Sequence, residues 1–276
     1  MKPDRIADGP LDYCLYRYGR SKVLYRGPRP DFKRPYCAFL GSSETFGKFV
    51  ATPFPALLQD GLAMPCANFA ALNAGVEMYL KDPSILLATA EARVTVIAVM
   101  GAHNLSNRFY QVHPRRNDRF VRSSKMLQTL YRGIDCTDIH FTRHLLATLL
   151  ADDPVKFGIV VEEMKAAWVA RMKSLLEAVE GRTILLWAAT HAPGERDLDC
   201  PEGLGEDPLF IDQSMMDELS PLATEVVECI CKPETKTGTN GMRFAACDAG
   251  AAAQLPGPDF HAQVAQKLEP ALRRLI

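Results

Sequence analysis

The chain has 276 residues and a formal net charge of −1, with 47% hydrophobic and 24% charged residues. That balance suits a globular protein with a sizeable core and leaves no global field to draw nucleic acid or an anionic membrane. No apolar run approaches the roughly 18 residues a membrane helix needs, and the opening Met1-Lys-Pro-Asp-Arg lacks the apolar core of a secretory signal, so a cytoplasmic location is expected.

Taken in chain order, residues 1–35 are polar, rich in Tyr and Arg, and read as an irregular lead-in covering one edge of a sheet. Apolar strand-length runs follow at 36–41, 65–69, 94–101, 183–189 and 224–231. Helical patterns lie between and after them, at 46–60, 75–92, 154–180 and 258–275. The third of these is well bounded: Asp153 can cap it, Pro154 suits its first turn and Gly181 stops it. Strands alternating with helices predict a three-layer α/β/α fold around a mostly parallel, doubly wound (flavodoxin-like) sheet of about five strands. Residues 36–276 then make one domain, with an elaborated insertion at about 103–150. In such sheets the reactive groups sit on loops beyond the carboxyl ends of the strands.

Eight cysteines are present, several inside strand-like runs, where a thiol behaves as a small core group. Cys229-Ile-Cys231 sends two thiols to one strand face. No CxxC pair exists, so no zinc site is assigned, and reduced thiols are expected. His140 and His144 stand four residues apart, one helical turn if the segment is helical. No Glu follows the first and no third ligand is identifiable, so no metal is assigned here either.

The loop after the first strand is Gly41-Ser-Ser43-Glu-Thr45-Phe-Gly47, which places a small hydroxyl at a helix start, where N–H groups can stabilise negative charge. A Walker-type phosphate loop fails twice: five residues separate its glycines, and Phe49, not Ser or Thr, follows Lys48. The loop after the second strand carries Asn73-Ala-Gly75. The one after the third strand carries Gly101-Ala-His103-Asn104. Just before the last helix comes Pro258-Asp259-Phe-His261.

In this order the four segments resemble the blocks of the SGNH, or GDSL-like, hydrolases, in a divergent form. Gly41, Ser43, Thr45 and Gly47 match the first block, with Ser42 replacing the family's Asp. The resemblance spans nearly the whole chain. It implies a serine esterase or acyl-transfer enzyme needing no cofactor, with Ser43 as nucleophile and His261 as base. The N–H groups of Ser43 and Gly75 and the side chain of Asn104, or His103 in its place, would hold the oxyanion. Asp259 stands one residue nearer to its histidine than the family's acid does, so a Ser–His dyad is expected, with Ser43 and His261 within hydrogen-bond reach or one water of it.

The insertion holds five arginines within fifteen residues, interleaved with aromatics, a composition suited to an anionic or sugar-bearing substrate or to a solvated loop paired with Asp118. His103, Asn107, Arg108, Arg115, Arg116 and His191 are the candidate substrate-binding residues. The expected partner is a small molecule or a glycan, with neither nucleic acid nor membrane, and the oligomeric state is not legible. Two other classes stay open: a sulfo- or phosphoryl-transferase using Lys48 and the arginine-rich insert, and a non-catalytic binding module that kept the fold.

Overall fold

The computed structural model describes residues 10–194, 203–235 and 238–276. Cys200 and the first nine residues of the lead-in lie outside these. Five strands form one parallel sheet: β1 (Cys37–Leu40), β2 (Cys66–Asn68), β3 (Val94–Ala98), β6 (Thr183–Ala189) and β7 (Glu225–Ile230), in the order β2-β1-β3-β6-β7. This is the flavodoxin-like order of a doubly wound sheet, interrupted between β3 and β6 by an antiparallel hairpin, β4 (Tyr110–His113) and β5 (Arg116–Ser123).

Most of these parallel strands are buried along nearly their whole length because helices cover both faces of the sheet. On one face, Ala38, Leu40, Ile97, Leu185 and Trp187 pack beneath α3 (Val76–Leu80), α4 (Pro83–Glu91), α7 (Pro154–Ala178) and α8 (Gln213–Leu219). On the other, Phe39, Val94, Val96, Ile184 and Leu186 pack beneath α2 (Phe54–Leu62) and α10 (Pro258–Leu275). Cys229 and Cys231 share that second face, their sulfurs 3.6 Å apart. Among the described residues no helix is long and apolar enough to cross a membrane.

The departures from the sequence reading sit at the loops. The pattern at 46–60 is two helices, α1 (Ser43–Phe46) and α2, because Gly47 and Phe49 both take positive φ and Pro53 precedes α2. The pattern at 75–92 breaks at Asp82-Pro83, where Asp82 accepts a hydrogen bond from the Ser84 N–H and caps α4. The insertion holds the hairpin and two helices, α5 (Lys125–Leu130) and α6 (Thr142–Asp152). His140 precedes α6, so the two imidazoles do not share a helical face. The helix α8 was not legible, and a short turn of helix, α9 (Ala249–Ala252), precedes α10.

The lead-in is packed. Tyr16 and Tyr25 form an antiparallel bridge and are buried, and the ring of Tyr25 meets Phe69 edge-on just beyond the edge strand β2. Arg26 is buried beside them. It donates to the carbonyls of Phe46 (3.0 Å), Gly47, Val50 (2.7 Å) and Ala51 (2.9 Å), tying down the turn that follows α1. Burial draws its pKa down to about 10, which leaves it charged at neutral pH.

Candidate active site

Beyond the carboxyl ends of β1, β3 and β6 opens a cleft of about 1110 Å³. Ser43 stands in its wall as the first residue of α1, where helical N–H groups have no intrahelical acceptor. Gly41 is required just before it, since a Cβ there would lie 2.2 Å from Thr45 Oγ1. The Ser43 hydroxyl is held by Asn73: it donates to Asn73 Oδ1 (3.1 Å) and accepts from the Asn73 N–H (2.9 Å). Asn73 has φ 52°, the left-handed region that asparagine tolerates better than most residues. Its side-chain amide also donates to Asp118 (3.4 Å). Asn73 is the residue sequence reasoning passed over. An Asn two residues before the block-two glycine was the available signal, but its contact with Ser43 depends on backbone shape.

The other sequence-predicted residues divide. Asn104 and His103 both line the cleft. Asn104 Oδ1 accepts from the Thr142 hydroxyl (2.7 Å), which orients the amide so that Nδ2 lies 3.4 Å from the Asn73 carbonyl and keeps a second N–H to give. Gly75 departs from its expected role, for its N–H donates to Asn117 Oδ1 (3.0 Å) and is not available to an oxyanion in this arrangement.

His261 also departs from expectation. The imidazole is fully buried, and its Nδ1 accepts from the N–H of Phe54 (3.2 Å), capping the first turn of α2. Its ring stacks on that of Phe54, and its Nε2 is buried without a partner. A neutral imidazole that accepts at Nδ1 carries its proton on Nε2, so it cannot take one there. Burial, with Arg26 adding to it, pushes the pKa down to about 3. Ser43 and His261 thus do not share a hydrogen bond: the hydroxyl is bonded to Asn73 and the imidazole to α2. Asp259 is exposed in the first turn of α10, where a carboxylate is favoured by the helix dipole.

A different histidine shares the cleft with Ser43. His103 is buried, and its Nδ1, which has no hydrogen-bond partner, lies 4.0 Å from Asp207 Oδ1. Asp207 is itself paired with Arg143 (2.7 Å), and all three line the cleft. Gly101 makes room for the ring, because a Cβ on it would fall 2.7 Å from His103 Nδ1. Burial lowers the pKa of His103 to about 4, against the pull of Asp207, and Arg143 adds to the lowering. His191 is buried below this loop. Its Nε2 lies 3.4 Å from the Asp207 carbonyl, so it braces Asp207 and does not line the cleft.

The remaining candidates face elsewhere. Asn107 Oδ1 accepts from the N–H groups of Phe109 and Tyr110, shaping a turn. Arg108 forks onto Glu163 of α7. Arg115 and Arg116 lie in a separate groove, between the hairpin and the lead-in. Among the described residues no group of three metal-ligating side chains comes together.

Among the solved structures that resemble the chain are three at low identity. A protein from Lactobacillus plantarum is 11% identical with a TM-score of 0.39, over 88% of this chain and 98% of that one. A protein from Parabacteroides merdae described as a GDSL-like lipase is 13% identical with a TM-score of 0.38, over 84% and 96%. A catalytic mutant of an acetylxylan esterase from Geobacillus stearothermophilus is 10% identical with a TM-score of 0.36, over 83% and 94%. At these values the likenesses carry no argument about the site. No curated protein matches the sequence. A family model does match, over residues 1–276, and the chain therefore belongs to the family described as Domain of unknown function (DUF6473).

Proposed function

We propose that the protein is an SGNH-like serine esterase or acyl-transfer enzyme acting on a small or carbohydrate-linked ester. The observation that carries the reading is Ser43, at the first position of the helix after β1, in one cleft with the His103–Asp207 pair. In this reading Ser43 Oγ attacks the ester carbonyl carbon and its proton leaves Asn73 for a neutral imidazole in the cleft. The alcohol departs with that proton, and water or a second alcohol then takes the acyl group from Ser43. His103 fits the base better than His261, because it lines the cleft and faces a carboxylate that would stabilise the imidazolium. The first-turn N–H of Ser43 and the spare amide proton of Asn104 are the oxyanion donors.

Fluorophosphonate labelling with a panel of p-nitrophenyl esters tests the reading, since the reagent mimics the tetrahedral intermediate. Ser43→Ala is expected to abolish labelling, and His103→Ala to slow it by about 10²–10⁴-fold. A base with a pKa of about 4 must lose its proton to work, so kcat/KM should stay level as pH falls from neutral and drop only as pH passes through about 4. Wild-type protein that never labels would remove the esterase assignment. Loss of labelling in His261→Gln with retention in His103→Ala would return the base to His261.

A further inference from the structure

The insertion's arginines meet the lead-in across a groove of about 920 Å³ that shares no lining residue with the Ser43 cleft. Five cations line it: Arg17 and Lys22 from the lead-in, and Arg115, Arg116 and Arg119 from the hairpin. No Asp or Glu lines it, and among the described residues none of the five makes an ion pair. Other arginines of this chain do pair: Arg108 with Glu163, Arg143 with Asp207, Arg171 with Glu77 and Arg274 with Glu225. Asp118, the acid expected to neutralise the insert, points instead to Asn73 and the cleft. In a chain of net charge −1, five unpaired cations gathered on one groove are a local departure that self-repulsion opposes.

The groove is shaped as well as charged. The hairpin turn is fixed by the Arg115 N–H, which donates to His113 Nδ1 (3.2 Å). The Arg119 guanidinium is held 4.1 Å from the ring centre of Phe141, which belongs to the wall of the Ser43 cleft. Arginines brought to one groove from two segments, Arg17 of the lead-in with Arg115 and Arg116 of the hairpin, offer the guanidinium forks that match the paired oxygens of phosphate-type oxyanions, which a lone cation does not select. We propose that this groove binds a ligand carrying two or more linked phosphate-type groups, either a soluble polyphosphorylated molecule or the anionic head of a lipid. The site is separate from Ser43 and does not depend on the esterase reading, although β5 forms a wall of both through Asp118 and Arg119.

Calorimetric titration of the full chain with tripolyphosphate tests it. Saturable binding is expected, weakening at high salt. Arg115 and Arg116 are exposed, so the double variant Arg115→Gln/Arg116→Gln should fold as the parent does and lose about 30-fold or more in affinity. Arg122→Gln removes a charge from the same hairpin outside the groove and should change affinity by less than about threefold. Co-sedimentation with vesicles containing cardiolipin, whose head carries two linked phosphates, competed by tripolyphosphate, would assign the ligand to lipid heads; titration without sedimentation would assign it to a soluble molecule. No saturable binding, or an equal loss in Arg122→Gln, would overturn the proposal.

Discussion

A Cβ on Gly75 would fall 1.9 Å from the carbonyl oxygen of Asn104, closer than any side chain tolerates, so the loops after β2 and β3 touch through bare backbone. Gly75→Ala must therefore push apart the two loops that carry Asn73 and Asn104. It is expected to destabilise the protein by about 3 kcal/mol, read as a lowered urea midpoint, and to reduce any Ser43 labelling with it. A variant of parental stability would contradict the close approach. Arg26 makes a similar case on charge. Its planar fork reaches four carbonyls, and a lysine cannot reproduce that geometry, so Arg26→Lys should lower Tm measurably despite keeping the charge. The glycine was legible in sequence as a βα-turn residue, but its reason was not: the clash comes from a loop some thirty residues on. Arg26 carried no signal, since a basic residue in a polar lead-in is ordinarily solvated.

Among the elements, α2 begins with Pro53 at its N-cap, which offers no side-chain acceptor, and His261 from α10 supplies one. That cap works only while the imidazole is neutral. The folded pKa is about 3 against an ordinary value of 6.5, so below about pH 6.5 the unfolded chain takes a proton that the folded chain refuses. Stability is intact above that value and falls as pH drops toward 3, by up to about 1.4 kcal/mol per pH unit. His103, with a folded pKa of about 4, contributes in the same direction over a shorter range. Glutamine can accept through Oε1 and does not titrate, so His261→Gln should flatten the fall in urea midpoint between pH 7 and 5 by about half, the two histidines sharing it over that range. An unchanged slope would separate the imidazole from the acid response. Helix boundaries were misread where the cause lies in φ: Gly47 at 72° and Phe49 at 70° end a helix that the apolar spacing would have carried on. The hairpin was missed because β5, Arg-Asn-Asp-Arg-Phe-Val-Arg-Ser, shows no clean alternation of apolar and polar residues. Its residues line two different sites, Asp118 the cleft and Arg116 and Arg119 the groove.

At the scale of the whole molecule, the sheet was legible because strands buried on both faces mostly read as unbroken apolar runs, and four of the five lie within a residue of their expected ends at both termini. Which histidine shares the cleft with Ser43 was not legible, since chain order says which residues reach one sheet edge and not how a ring is turned. The bond between Phe54 and His261 closes a span of 207 residues. Until α10 is made, Phe54, Leu58, Val96, Ile184 and Leu186 lack their cover. A chain stopped at Gly257 should accordingly bind a hydrophobic dye such as ANS strongly and aggregate, whereas the full chain should not. The long span also bears on how the protein comes to be made. The part of the sheet face that α10 covers stays open until residues 258–275 are made, and contacts of such separation slow folding. That uncovered apolar surface is the part of the nascent chain a chaperone would hold until α10 docks.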